Sequence, residues 1–368
     1  MKYIAFYFPQ FHSIEENNQW WGHQFTDWEL VQAAQQYTEE QRQPRIPLNN
    51  NYYDLTEAEV IAWQTQLAKK YGLAGFNFYH YWFDGKLLLG KPMELFLANP
   101  NNDLNFCITW ANETWTKQWI GSSEILMEQK HLNDKDLWQQ HFDYLLPFFK
   151  DPRYITIDQK PVFCIYRPEL NKHQTQWMNF FNQKARENGF EGIYFIGMKS
   201  YDLDREDEVY SSFQAKMLFQ PRYLFNKKFF QRKSWVSAIE KKLRRLPEKM
   251  QFWIGRLKFK MEKSQKVDYV AFGEALLALA QQTQDKTYQS IIVDWDNTPR
   301  YKNRSKFFVN ATPANFEHFL KELSLIEAAK GNEFVFINAW NEWSEGAYLE
   351  PDTTYEYQYL DVVKKLSE

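Results

Sequence analysis

Two carboxylates three residues apart, Glu342 and Glu345, stand in the run Asn338-Ala339-Trp340-Asn341-Glu342-Trp343-Ser344-Glu345-Gly346. The run follows a short apolar segment, Phe334 to Ile337, that reads as a buried strand. If the chain passes there into a helical or tight turn, residues three apart face the same side, with roughly 5–6 Å between Cβ atoms. That resembles the roughly 5–5.5 Å carboxyl spacing of glycosidases that retain anomeric configuration. Trp340 and Trp343 suit sugars, whose apolar ring faces lie on an indole while their hydroxyls bond to Asn338, Asn341 and glutamate. The alternative is a solvated strand-end loop carrying chance acids, which leaves two large aromatics without a use.

Such chemistry needs a scaffold. At 368 residues the chain suits one large domain of the α/β-barrel type or two ordinary ones. Apolar residues make up 44% and charged residues 25%, which allows a sizeable core and argues against disorder. Most of the 31 Phe are assigned to that core, whereas Trp and Tyr beside polar strand ends read as walls of a carbohydrate cleft. Cys107 and Cys164 each fall inside an expected strand as small buried hydrophobes, with no disulfide framework and no zinc spacing. No metal and no cofactor is expected. The run Met1 to Pro9 lacks the apolar core and cleavage site of a signal peptide, and no stretch approaches ~18 consecutive apolar residues. A cytoplasmic protein is the expectation.

Eight aromatic and β-branched runs ending in polar groups read as strands: Lys2–Phe8, Gly75–Tyr81, Leu104–Trp110, Pro161–Tyr166, Gly192–Met198, Phe213–Phe219, Ser290–Asp294 and Glu333–Asn338. Helical patterns fall between most of them, at Thr56–Tyr71, Lys135–Lys150, Gln174–Asn188, Asp268–Gln282 and Pro313–Lys330. Only an acidic loop, Ser200–Ser211, joins the fifth strand to the sixth. The alternation predicts a single (β/α)₈ domain over residues 1–368.

Chemistry in such a barrel sits at the C-terminal strand ends, and the polar residues comply. His12 follows strand one; His80, Tyr81 and Trp82 close strand two; Trp110, Asn112 and Glu113 follow strand three. Tyr166 and Arg167 come after strand four, Lys199 after five, Gln220 and Arg222 after six, Asp294 and Asp296 after seven, and the acid pair after eight. Any one of them could be a rim hydrogen bond; their convergence on one face is the argument. Asp294-Trp295-Asp296 has the spacing of a metal-held diphosphate site, but at a strand end it reads as bonding sugar hydroxyls. Trp21, with Trp20 and Trp28, lies in the loop from His12 to about Asp54, long enough for a lid. Both glutamates are expected at a wet rim.

One segment breaks the pattern. Residues 222–266 hold 15 Lys/Arg against Glu240, Glu248 and Glu262, an excess of +12, so the rest carries −15 to reach the chain's −3. Arg222, Lys227, Lys228, Arg232, Lys233, Lys241, Lys242, Arg244 and Arg245 interleave with Trp235, Ile239, Leu243 and Leu246. That mixture on helical patterns predicts an amphipathic insertion lying on an anionic membrane surface, or else a solvated helical insertion bound to nothing. Nucleic acid is excluded as a partner, since the remaining chain is acidic and carries no recognition motif.

Ordered blocks extend the acid run across the chain. They are Ala5 to His12, Trp20-Trp21-Gly22, Phe25-Thr26-Asp27-Trp28, Gln43 to Pro47, Tyr52 to Leu55, Gly75 to Phe83 and Trp110 to Trp115. Pro161-Val162-Phe163, Tyr166-Arg167-Pro168, Trp295 to Arg300, Asn338 to Glu345 and Leu349 to Asp352 complete them. These blocks closely resemble the WbsX-type glycosyltransferases of bacterial O-antigen and capsule gene clusters, which are related to glycoside hydrolase family 99, the endo-α-mannosidases. The resemblance implies a (β/α)₈ barrel acting on an oligosaccharide or lipid-linked glycan to form or remodel glycosidic bonds. An endo-acting retaining hydrolase and a catalytically inert sugar-binding barrel are the alternatives. In the hydrolase relatives the first glutamate of Glu-Trp-x-Glu, here Glu342, acts as base on the sugar 2-hydroxyl, which attacks C1. The second, here Glu345, protonates the leaving oxygen and then activates the incoming hydroxyl. Ser344 stands where those hydrolases often carry His, which bears on substrate contacts and not on the pair. The basic segment lies outside the resemblance.

Overall fold

The computed structural model describes residues 1–117, 122, 124–230, 263–283 and 286–368. Eight parallel strands close into a barrel: β1 (Lys2–Tyr7), β2 (Gly75–Phe83), β3 (Asn105–Trp110), β4 (Lys160–Ile165), β5 (Tyr194–Lys199), β6 (Ala215–Leu218), β7 (Thr287–Ile292) and β8 (Phe334–Asn338). Each pairs with the next in chain order, and β8 returns to β1 with Lys2 opposite Phe334 and Ala5 opposite Ile337. The expected (β/α)₈ barrel is therefore present. Its shortest strand is β6, four residues where seven were expected. The helices α1 (Ala58–Lys70), α2 (Lys91–Ala98), α3 (Lys135–Phe149), α4 (Gln174–Glu187), α5 (Tyr269–Gln282) and α6 (Pro313–Ala329) connect strands. Between β5 and β6 only a five-residue helix, Glu206–Tyr210, intervenes.

Strand parity decides what each side chain does, because successive residues point to opposite faces. On β2, Tyr79 points into the barrel, its ring 5.4 Å from Phe6 and 6.2 Å from Tyr166. Phe78 and His80 point outward, against Phe96 of α2 and His141 of α3. The outer layer is a continuous aromatic packing in which Trp110 meets Trp177 at 5.1 Å and Trp82 stacks on His141 at 4.9 Å. Inside, Phe6 packs on Phe219 and Phe336, and Thr109 donates to Asn77 at 2.7 Å. Cys107 and Cys164 are buried and free. Burial on both faces explains why the strands read as near-continuous apolar runs.

The connection from His12 to Asp54 is not a free lid. It carries two short helices, Glu15–Trp21 and Asp27–Gln32, and is pinned across the barrel. Trp28 is core: its indole N–H donates to the Tyr53 carbonyl at 2.8 Å and its ring lies 4.3 Å from Phe11. Gln41 donates to Thr298 and Ser305, and Arg45 to Asp294.

The basic segment begins inside the fold. A turn of helix, Arg222–Leu224, follows β6, and Phe225 is buried against Phe272 and Phe308 at 5.9 and 5.5 Å. These first residues thus wall the barrel. Lys227 and Lys228 are exposed, whereas Arg232, Lys233, Lys241, Lys242, Arg244 and Arg245 lie outside the described residues. Gln265–Asp268 then pairs in parallel with Lys306–Val309. Among the described residues no helix is long and apolar enough to cross a membrane.

Candidate active site

The chain leaving β8 is locked before it reaches the acids. The Asn338–Ala339 peptide is cis, Asn338 Nδ2 donates to the Gln220 carbonyl at 3.0 Å, and Trp340 N donates to the Phe6 carbonyl at 2.7 Å. Asn341 accepts from Phe8 N at 2.7 Å and donates to its carbonyl at 2.9 Å, joining the ends of β1 and β8. A 3₁₀ turn, Trp343–Glu345, then ends at Gly346, where φ is +66° and an added Cβ would stand 2.8 Å from Asp296 N. Only glycine fits that approach. The expected turn is present, and it aims both glutamates at one cation.

That cation is Arg300. Its Nη1 donates to Glu345 Oε1 at 3.0 Å, and its Nη2 to Glu342 Oε1 at 3.3 Å and to Asp27 Oδ2 at 2.8 Å. Ser344, between the acids, donates to the same Asp27 oxygen at 2.5 Å. The wet-rim expectation is corrected for Glu342, whose side chain is only 10% exposed against 18% for Glu345. Burial pushes the Glu342 carboxyl well above the ordinary glutamate range; Arg300 opposes the shift, and the negative charges of Glu345 and Asp27 add to it. The site therefore favours a proton on Glu342.

Tyrosines surround the pair. Tyr79 and Tyr81 from β2 lie within electrostatic range of Glu342, and Tyr166 and Tyr301 within range of Glu345. All four have raised hydroxyl pKa values, burial being the largest cause in each. Trp115 packs on Tyr81 at 4.9 Å and Trp20 on Trp115 at 6.0 Å, extending the wall; Trp21 is half-buried beside Phe25 and Lys117. Arg222, read from sequence as a membrane contact, is placed here instead, half-buried with its guanidinium 5.6 Å from the Tyr166 ring. Arg167 binds Glu113 at 3.2 Å and Glu169 at 2.5 Å, and also the Tyr201 hydroxyl. Glu113 and Arg167 also edge a cleft of about 590 Å³ that continues past Thr116, Glu128, Lys130 and Lys172.

Several expected sugar contacts are placed elsewhere. His80, Trp82 and Trp110 belong to the outer layer, because strand parity turns them away from Tyr79 and Tyr81. His80 Nε2 pairs with His141 Nε2 at 2.9 Å, and burial lowers the His80 pKa to about 3. Trp340 and Trp343 are fully buried; Trp343 stacks on Tyr348 at 3.7 Å and donates to Glu350 at 2.7 Å. Asn112, Asn338 and Asn341 spend their amides on backbone, Asn112 clamping Arg167 N at 2.8 Å. Asp294 is bound by Arg42 and Arg45 at 2.6 and 2.9 Å, and Asp296 accepts from Thr298 Oγ1 at 2.5 Å, so both pin loops. His12 is buried, and burial lowers its pKa to about 4 against the pull of Asp54. Among the described residues no group of three or more His, Cys, Asp and Glu is arranged to hold a metal ion.

Asp27, Tyr79, Arg300 and Tyr301 were not singled out from sequence, although the first three stand inside the ordered blocks quoted above. The signal for Asp27 is a charge placed beside an aromatic pair, Phe25 and Trp28, whereas Arg300 stands among polar residues and carries no such signal.

A (β/α)₈ barrel with a carboxyl pair at the end of its eighth strand, ringed by tyrosines, is an arrangement suited to glycoside chemistry. Residues 3–363 match the family described as Glycosyltransferase WbsX, and the chain belongs to that family. Two proteins from strains of Xanthomonas campestris pv. campestris, each described as "Uncharacterized protein WxcX", are 32% identical over 366 residues, covering 98% of this chain and 49% of their own. The chain thus spans about half the length of the curated relatives it matches. Among solved structures, a "Glycoside hydrolase-like protein" aligns with a TM-score of 0.55 at 15% identity, covering 100% of this chain and 94% of its own. A family 99 endo-α-mannosidase from Bacteroides thetaiotaomicron aligns at 0.53 and 13%, covering 99% and 95%. At these identities the likeness is one of fold.

Proposed function

We propose that the chain forms or remodels glycosidic bonds in the synthesis of a bacterial surface polysaccharide, with Glu342 and Glu345 as its acid/base pair. The substrate is an oligosaccharide or lipid-linked glycan. One observation carries the reading: two acids gathered on Arg300 lie inside four tyrosines, and no described residue hydrogen-bonds to their hydroxyls. Those hydroxyls suit a polyhydroxylated ligand.

Burial and the negative charges of Glu345 and Asp27 favour a proton on the pair, against the opposing charge of Arg300. One proton and one open acceptor are what bond exchange requires, the first for the leaving oxygen and the second for the incoming hydroxyl. The resemblance makes the first acid the base, whereas burial favours protonation of that same residue, Glu342. We therefore assign the two roles to the pair jointly. Arg300 would hold both carboxyls on one side of the sugar as charge moves between them.

Transfer and hydrolysis differ only in which hydroxyl reaches C1. The cleft beside Glu113 and Arg167 offers an acceptor a place, which supports transfer. The test is to incubate the protein with surface-polysaccharide oligosaccharides and a fluorescently labelled acceptor, and to read products by mass spectrometry. Enlarged labelled products are expected. New reducing ends without them would select the hydrolase; sugar binding with no products would select the inert barrel. We further propose that the protein works at the cytoplasmic membrane face, with Lys227, Lys228 and the basic residues beyond them meeting anionic lipid.

A further inference from the structure

Each carboxylate around the mouth already has an arginine. Asp27, Glu342 and Glu345 are on Arg300, and Glu113 and Glu169 are on Arg167. Arg42 and Arg45 are likewise committed to Asp294. Arg222 differs. It is half-buried in the same mouth, its guanidinium lies over the Tyr166 ring, and no described residue accepts a hydrogen bond from it.

Its position is rigid. Gln220 N donates to Ser290 Oγ at 2.8 Å, Leu224 N to Gln220 Oε1 at 3.2 Å, and Phe225 N to the Pro221 carbonyl at 2.9 Å. The turn bearing Arg222 is thus closed on itself and tied to the barrel wall through Gln220. A guanidinium offers five N–H donors in a planar fork that matches carboxylate and phosphate. Partly desolvating such a group without an acceptor is costly, and an oxyanion ligand removes that cost. Glu113 and Glu345 face the same region, but each is held by its own arginine, so neither takes up the fork.

We infer that Arg222 forms a subsite for an oxyanion on the substrate, either the carboxylate of an acidic sugar or the phosphate of an activated glycan. The inference rests on the sugar-processing reading of the mouth and adds a charge requirement to it. The neighbouring cleft, with Lys130 and Lys172 on its lining, gives a charged chain room to continue. Tyr166 holds the cation's apolar face in a cation–π contact at 5.6 Å.

The test is an NMR titration of the full chain, wild type, Arg222→Met and Arg222→Lys, with three probes: inorganic pyrophosphate, methyl β-glucuronide and neutral methyl β-glucoside. At least one anionic probe is expected to bind the wild type about 10-fold or more tightly than it binds Arg222→Met, the scale of losing charge-assisted hydrogen bonds. Arg222→Lys should fall between, since it keeps the charge without the fork. Dependence of pyrophosphate alone on Arg222 identifies an activated glycan, and of glucuronide alone an acidic sugar. Anion binding that is absent, or equal in wild type and Arg222→Met, overturns the subsite. If Arg222→Met does not fold, as judged by circular dichroism, Arg222→Lys decides, equal affinity overturning the inference. The neutral glycoside tests the underlying reading by itself: its failure to bind while anions do would sink the sugar assignment and leave the oxyanion site standing.

Discussion

Ser344 Oγ donates to Asp27 Oδ2 at 2.5 Å, tying the residue between the two acids to the start of a short helix 317 positions earlier in the chain. The same oxygen accepts from Arg300 at 2.8 Å, so Asp27 holds both the turn that carries the acids and the cation that gathers them. Asp27→Asn keeps an acceptor for Ser344 and removes the charge. A buried cation stripped of its sole partner loses ~3–5 kcal/mol; here two carboxylates remain on Arg300, so a smaller stability loss is expected, with a clear loss of turnover. Ser344→Ala should cost about 1 kcal/mol, the worth of one hydrogen bond, and spare most activity. Urea denaturation and rate assays measure both. Unchanged stability and turnover in Asp27→Asn would dismiss this role.

The acids themselves should separate by pH. Glu342→Gln and Glu345→Gln are each expected to lower turnover by at least about 10²-fold, the lower range for a general acid or base. Stability distinguishes Glu342, whose folded pKa is raised by burial. Between the unfolded value, about 4.3, and the higher folded value, the native state binds more protons, so its stability falls as pH rises. Glu342→Gln lacks that loss. Its melting temperature relative to wild type should therefore climb from pH 4.5 to pH 8 in thermal scans. A difference that stays flat across the range would remove the assignment of the proton to Glu342.

The barrel was legible because strands buried on both faces leave runs such as Gly75–Phe83 that hardly any other structure explains. Parity within a run was not. Tyr79, His80, Tyr81 and Trp82 are all plausible sugar contacts by type, yet alternate residues face the mouth and the helices. Asn77 held the clue: a buried amide inside an apolar strand, bonded to Thr109 of the neighbouring strand, marks the inward set that Tyr79 and Tyr81 continue. Trp343 misled for another reason. An indole beside two acids suggests a sugar platform, but Glu350 and Tyr348, a few residues later, give it a buried partner and a stacking face. The pairing of Asp27 with Arg300 spans 273 residues and leaves no local pattern.

Buried histidines and a buried glutamate should bound stability on the acid and the alkaline side. Burial lowers His80 to about 3 and His12 to about 4, so the unfolded chain takes up protons below about 6.5 that the native state refuses. Stability is lost as pH falls through that window. Glu350 acts oppositely: burial pushes it up to about 7, so stability is lost as pH rises from about 4.3 to 7. With two histidines acting against one glutamate, these three groups place the peak at about pH 7, where their opposing slopes cancel. His80→Gln, which keeps a polar partner for His141, should flatten the acid limb. An acid limb as steep in His80→Gln as in wild type would exclude His80 as its source.

The basic segment makes the last prediction. Arg222 is taken by the barrel mouth, and Lys227 donates to the Tyr223 hydroxyl at 2.9 Å while remaining exposed, so lipid attraction must come mainly from residues further along. Arg232, Lys233, Lys241, Lys242, Arg244 and Arg245 supply six charges, on the order of 1 kcal/mol each beside an anionic leaflet, with several unable to reach it together. Wild-type protein should co-float with phosphatidylserine-containing vesicles, less so at high salt because the attraction is screened. Vesicles of phosphatidylcholine alone should bind poorly. Changing all six residues to Gln removes six of the segment's 15 basic charges and leaves the barrel residues untouched, so flotation should fall while melting temperature stays within a few degrees. Equal flotation by the six-fold variant would show that these six residues do not carry the membrane attachment.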